Sequence, residues 1–198
     1  MSALERTADT LPMTPGRPEA REYEYIRHGT QCLTANFEVT TGKIISPTIE
    51  ATRTEPEFAA HVARTIATDP AAGWIFVADN LTTHVSETLV LLFAGLLGIS
   101  AATLGTKGKA GVLQSVKTRR AFLTDSSHRL RFVSVPKHAS WLNQVEIWFS
   151  VLSRRLLKRG NFRSKADLRN QVLTFIEYQN RVLAKPYRWT YTGRPLAA

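Results

Sequence analysis

The chain has 198 residues, 43% of them hydrophobic, with 26 Lys and Arg against 16 Asp and Glu and a formal net charge of +10. That apolar share supports a packed core and argues against a disordered polypeptide, while the basic excess is what a polyanion-binding surface needs. One cysteine, Cys32, excludes an internal disulfide, and no apolar run reaches the roughly 18 residues of a membrane span.

The start, Met1-Ser-Ala-Leu-Glu-Arg-Thr7, has no apolar segment behind a basic end and does not read as a signal peptide. A reducing, cytoplasmic setting is the expectation. Five scattered histidines argue against a four-ligand zinc cluster.

Residues 1–22 carry Pro12, Pro15, Gly16 and Pro18 and read as irregular. Residues 23–28 can begin a strand. From Leu33 the chain alternates, with Leu33, Ala35, Phe37 and Val39 on one face. Thr41-Gly42 makes a turn and Lys43–Ile49 returns, which predicts a β-hairpin. Over 55–68, Phe58, Val62 and Ile66 recur every fourth residue, behind Pro56 and the first-turn acids Glu55 and Glu57, so a helix is expected. Trp74–Ala78 is a continuous apolar run and predicts a strand buried on both faces. A helix follows over 85–97, closed by Gly98. Residues 105–128 are basic and weakly periodic, with room for a helix at 112–123. Arg129–Val135 predicts another strand. Ser140 can cap a helix from Trp141 to about Arg159, and Ser164 one from Lys165 to Val182. From Ala184 the chain reads as extended. Strands alternating with helices after an opening hairpin predict an α/β or α+β layered fold, a mixed sheet covered by helices.

Asp79-Asn80 closes the apolar strand, a place where ligands and metals gather in open α/β sheets. Oxygen ligands suit Mg²⁺. Asp79 also fits a helix cap or a turn closure. Glu146 is the sharper signal. At about 100° per residue it falls about 40° from Leu142, at the rim of the stripe formed by Leu142, Val145, Phe149, Leu152 and Leu156. No Lys or Arg stands at 142, 143, 149 or 150 to pair with it. A half-buried carboxylate without a partner is expensive unless it is protonated or binds a cation. The alternative is a rim glutamate reaching water. His84 and His138 are candidates for a phosphate contact or a proton shuttle, against a purely structural role. Asn80 and Asn143 can orient a carboxylate or bond to DNA.

Arg154, Arg155, Lys158, Arg159, Arg163, Lys165 and Arg169 form a basic tract with interleaved leucines. Such a stripe gives sequence-independent phosphate affinity with strong salt dependence. Lys107 and Lys109, in the Gly105–Gly111 loop, add two cations on a flexible backbone. The loop lacks the spacing of a P-loop. A solvated surface is the alternative for both clusters.

Asp79-Asn80 with His84, followed by Pro136-Lys-His-Ala-Ser-Trp-Leu-Asn-Gln-Val-Glu146-Ile-Trp-Phe-Ser, resembles the transposases of the mariner superfamily in its bacterial insertion-sequence branch. The resemblance extends to Leu4–Thr7, Tyr25–Gly29, Phe58–His61 and Tyr191–Pro195, and so covers essentially the whole chain. It implies an RNase H-like mixed sheet flanked by helices, with a partial catalytic domain over 1–183 and an extended tail over 184–198. It also implies an Asp-Asp-Glu triad binding Mg²⁺ or Mn²⁺, in which Asp79 matches the second acid and Glu146 the third. His84 and Asn80 would stand beside them. Lys107, Lys109, Lys137, His138, Arg154, Arg155, Lys158 and Arg159 would meet DNA, both transposon ends and target. The intact protein would pair two ends as a homodimer near the nucleoid.

The family's first acid ends an opening strand upstream of the segment resembling Leu4–Thr7, and nothing here matches it. Glu5 and Asp9 are the nearest carboxylates, and neither ends a strand-like run. The expectation is therefore a fragment lacking the central opening strand and the end-reading helix-turn-helix region, poorly stable alone and unable to cleave DNA. Two rivals accompany it: a DNA-binding remnant without chemistry, and a structure-selective nuclease on the same fold. Expression as the second of two overlapping frames joined by frameshifting is a further expectation.

Overall fold

A computed structural model describes residues 1–136 and 139–188. The strands are β1 (Ser2–Arg6), β2 (Tyr25–Thr30), β3 (Cys32–Glu38), β4 (Lys43–Glu50), β5 (Trp74–Ala78) and β6 (Leu130–Ser134). The helices are α1 (Glu55–Ile66), α2 (Glu87–Leu96), α3 (Val116–Thr124), α4 (Val145–Leu152) and α5 (Lys165–Tyr178).

Four helices start at a hydroxyl that accepts a backbone N–H three residues on. Thr54 takes Glu57, Ser86 takes Leu89, Ser115 takes Thr118 and Ser164 takes Asp167. At Thr54 the Glu57 carboxylate also reaches back to the Thr54 N–H, completing a capping box. Helix α4 differs. The helix expected from Trp141 begins at Val145 after one 3₁₀ turn at Ser140–Leu142, and Gln144 before it offers no side-chain cap. It then widens into a π-helical stretch, Ser153–Leu157. A second π-helical stretch, Gln179–Leu183, ends α5.

Residues 2–6, expected to be irregular, form β1, because Ser2–Arg6 pairs antiparallel with Tyr25–Thr30. A partner some twenty residues away leaves no local signal. The hairpin forms as expected from β3 and β4, with a bulge where Thr34 and Asn36 face Thr48 and Ile45. Ser46 takes a left-handed φ of 46° there, and Pro47 sits where no ladder N–H is needed. Strands β5 and β6 pair in parallel, Trp74 opposite Leu130 through Ala78 opposite Ser134.

The expected mixed sheet is divided into three two-stranded pieces. No strand among the described residues joins the β3–β4 hairpin to the β5–β6 pair. The expectation that β5 is buried on both faces fails with it. Phe76 and Ala78 are buried at 8% exposure each, but Ile75 and Val77 on the other face are 56% and 51% exposed. A parallel pair with one bare apolar face is unusual, because parallel sheets are ordinarily covered on both sides.

Two cores result. The first gathers α1, α2, α3, β5 and β6 around Phe76, Phe93 and Phe132, with Phe76 stacked on Phe132 at 4.9 Å. The second gathers the hairpin, β1, α4 and α5 around Ile44, Ile49, Trp148, Leu152 and Val172. Between them lies a buried polar seam. The Asn36 amide donates to Thr65 Oγ1 and to His61 Nε2, both at 2.7 Å, and His61 Nδ1 lies 3.1 Å from Thr48 Oγ1. With Nε2 accepting, the ring proton sits on Nδ1. Burial pushes the His61 pKa from 6.5 down to about 4, and the Arg64 charge adds to the effect. At the far end, Asn180 bonds both the N–H and the carbonyl of Ile44 at 2.8 Å, like a missing strand residue. Tyr187 then stacks on Phe37 at 4.8 Å. Residues 184–188 thus lie against the hairpin without regular structure.

Candidate active site and nucleic-acid interface

Parallel pairing sets the C-terminal ends of β5 and β6 side by side, and Val135 N–H donates to Ala78 O at 3.0 Å. Asp79 leaves from one strand and the segment toward Glu146 leaves from the other. Asp79 does close a turn, since Oδ1 accepts the Leu81 N–H at 3.0 Å. The same oxygen lies 2.8 Å from His84 Nδ1. His84 belongs to a 3₁₀ turn, Thr82–Val85, and its ring rests on Phe58 of α1 at 4.4 Å between centroids. Phe58 meets Phe132 edge-on, so the aromatic core fixes the histidine that fixes the acid. Asn80 is a bracket rather than a ligand. Its amide donates to Val135 O at 2.7 Å, and its Oδ1 accepts from Arg120 Nη1 at 2.7 Å. These residues are brought together as one cluster.

Glu146 is placed differently from the expectation. It is exposed, not half-buried. Trp148 and Leu152 are the fully buried side chains of α4, at 0% and 1% exposure. They lie at about 240° and 280° on the helical wheel, so the buried face turns away from Glu146. The desolvation argument for a cation at Glu146 therefore does not hold. Its carboxylate has no partner among the described residues, and α4 packs on β3 within the second core.

A hard cation such as Mg²⁺ takes oxygen ligands, one or two carboxylates completed by water and phosphate. Asp79 Oδ2 has no partner among the described residues, and neither has Glu146, so the donor chemistry fits. Among the described residues, no three His, Cys, Asp or Glu gather around one point. Glu5, near the end of β1, is spent on His28, 2.7 Å away.

The basic tract divides. Arg154, Arg155, Lys158 and Arg159 are exposed, while Leu156 and Leu157 between them pack on the second core. Arg169 does not stand free, because its guanidinium donates to Ile49 O and ties α5 to β4. The Gly105–Gly111 loop is braced rather than flexible. Thr106 N–H and Ala110 N–H bond the Ala110 and Thr106 carbonyls at 2.9 and 3.1 Å. Gly105 has φ +82°, and a Cβ there would come within 2.2 Å of Ala110 O. Lys107 pairs with Glu87 at 3.2 Å, and Lys109 has no partner among the described residues. Lys137 and His138 lie outside the described residues.

Arg119 and Arg120 escape a sequence reading, because 105–128 shows charge but little period. Arg119 donates from Nε to Val85 O at 2.8 Å and from Nη1 to Leu113 O at 3.1 Å, locking α3 against the His84 turn. They fall inside the helix expected over 112–123, and nothing local sets them apart from the other basic residues of that segment.

No described helix is long and apolar enough to cross a membrane. The chain matches none of the curated proteins and none of the solved structures. It matches the family model of the DDE superfamily endonucleases over residues 3–169, a span that holds both acids, the Asp79 bracket and the whole basic tract. A match over most of its length, on a mixed α/β scaffold with small sheets and five α-helices among the described residues, establishes that the chain belongs to the DDE superfamily endonucleases.

Proposed function

We propose that the chain is the catalytic domain of a DNA transposase of the mariner superfamily, in its bacterial insertion-sequence branch, built on an RNase H-like plan. Asp79 and Glu146 are the second and third acids of its Asp-Asp-Glu set and hold Mg²⁺ or Mn²⁺. The observation that carries the reading is Asp79 at the end of a parallel strand, oriented by His84 and set beside the strand that leads to Glu146.

An ion held by Asp79 and Glu146 would supply the Lewis acidity to activate water or a DNA 3′-hydroxyl and to stabilise the leaving oxygen of an in-line phosphoryl transfer. The chain's own residues do the rest. Asp79 presents Oδ2 while His84 and the Leu81 N–H hold Oδ1. Asn80 keeps the two strand ends together. Arg154, Arg155, Lys158 and Arg159 take DNA phosphates, and two chains pair to hold two ends. Asp79 and Glu146 supply two acids of the set, and no third gathers with them among the described residues, so in this reading the chain by itself binds DNA in a metal-strengthened manner without cutting it.

DNA affinity of the 198-residue chain, measured with Mn²⁺ and with EDTA, tests this. Mn²⁺ should tighten binding, and Asp79→Ala should remove the gain. Equal affinity in both conditions would sink the metal reading and leave a DNA-binding protein without chemistry. Metal-dependent plasmid nicking that disappears in Asp79→Ala would overturn only the inactivity. Preference for branched DNA over transposon ends would favour a structure-selective nuclease.

A further inference from the structure

Arg120 is a half-buried cation with no acid to answer it. Among the described residues, the lysines and arginines paired with carboxylates are Arg21, Arg64 and Lys107. Arg120 has one bond, from Nη1 to the neutral Asn80 Oδ1 at 2.7 Å. Nε and Nη2 have no partner among the described residues. Next to Asn80 in the chain is Asp79, yet Arg120 and Asp79 do not form an ion pair. Asp79 is held the other way by His84 and Leu81.

The support behind Arg120 is stiff. Ser115 and Thr118 close a reciprocal cap at the start of α3. Arg119 spends two donors on the carbonyls of Val85 and Leu113. Asn80 is fixed from its other end by Val135 O. A guanidinium so held keeps a planar fork of N–H groups free, and that fork matches the two oxygens of a phosphodiester. An anion that reaches this fork lies one residue along the chain from Asp79, and a phosphodiester offers the fork two oxygens at once.

We infer that Arg120 grips a backbone phosphate of the nucleic acid strand lying at Asp79, with Asn80 as the residue that positions it. The inference rests on the nuclease reading and adds to it a contact from α3, a segment distinct from the Arg154–Arg159 stripe. The Asp79 cluster thus has a phosphate ligand of its own, and the stripe supplies affinity farther along the duplex.

The test is DNA binding by the 198-residue chain in EDTA, read as anisotropy over a series of salt concentrations. Arg120→Gln keeps a donor for Asn80 Oδ1 and removes the charge, so folding is preserved. It should weaken binding about tenfold and lower the log–log salt slope by about 0.9. Arg120→Lys should recover the slope and only part of the affinity. Asn80→Ala should lower affinity with the slope unchanged, because the charge stays while its aim is lost. Arg64→Ala, a remote charge paired with Glu50, should change neither. Wild-type affinity and slope in Arg120→Gln would overturn the inference and leave the nuclease reading standing. Absence of salt-dependent DNA binding by the wild-type chain would overturn both.

Discussion

The two halves of the molecule carry their candidate acids in opposite ways. Asp79 is oriented in advance. A turn N–H, a histidine seated on Phe58 and the Asn80 bracket surround it, and the histidine link ends in the aromatic core through Phe58 and Phe132. Glu146 is oriented by its helix alone, on the solvent side of α4, beside a buried Trp148 whose Nε1–H has no partner among the described residues. The contrast shows where pre-organisation lies: a site built from both acids needs little adjustment at β5 and more at α4. Pre-organised groups cost no rearrangement at the moment of reaction.

The largest effect is expected where the second core is cut. Trp148 is fully buried, and Trp148→Ala should cost about 3–5 kcal/mol. Trp148→Phe should cost far less, because it also removes a buried N–H that bonds nothing. Urea unfolding checks both. The polar seam through His61 joins the halves, so one shifted transition is expected. Two separate transitions would mean that the halves fold independently.

The seam gives the next effect. The His61 pKa is depressed from 6.5 to about 4, chiefly by burial. The unfolded chain therefore takes up a proton before the folded one does. This contribution is absent above pH 6.5, destabilises progressively as pH falls toward 4, and levels off below. The full span is about 3 kcal/mol for the fully buried ring. Stability measured from pH 7.5 to 4 in wild type and His61→Gln checks it. The variant should start less stable and lose less across that window. Parallel curves would remove His61 from the account.

Much of this was legible in the sequence, and the failures share a cause. The hairpin, α1, β5, β6 and the Ser164 cap follow from period and capping, which are local. Strand β1 was not legible, since Ser2–Arg6 is a strand only by virtue of β2. The two-faced burial of β5 was not either, because an apolar run states what a strand can bury and not what neighbours it receives. Asp79, Asn80 and His84 stand close in the sequence and were singled out there, but the contact of His84 with the Asp79 carboxylate comes from the 3₁₀ turn between them. Glu146 is exposed because the buried face of α4 is turned about 60° from the expected stripe, toward Trp148. Arg120 reaches Asn80 across 40 positions and leaves no mark in either segment.

The smallest effect concerns the two loop lysines, which the sequence treats alike. Lys107 is paired with Glu87 across a surface where their side chains are 57% and 30% exposed. Such a pair is screened and contributes under about 0.5 kcal/mol. The loop is held by its own backbone bonds and by glycines that leave no room for a side chain, so Lys107→Ala should leave the melting temperature nearly unchanged. Its effect on DNA should be small as well, because Glu87 already offsets the charge and would have to release it to a phosphate. Lys109 has no such competitor. Lys109→Ala should therefore lower the salt slope of DNA binding by about 0.9, and Lys107→Ala by less. Equal slopes for the two variants would mean that Glu87 gives up its lysine to DNA, and that the braced loop meets the duplex with both cations.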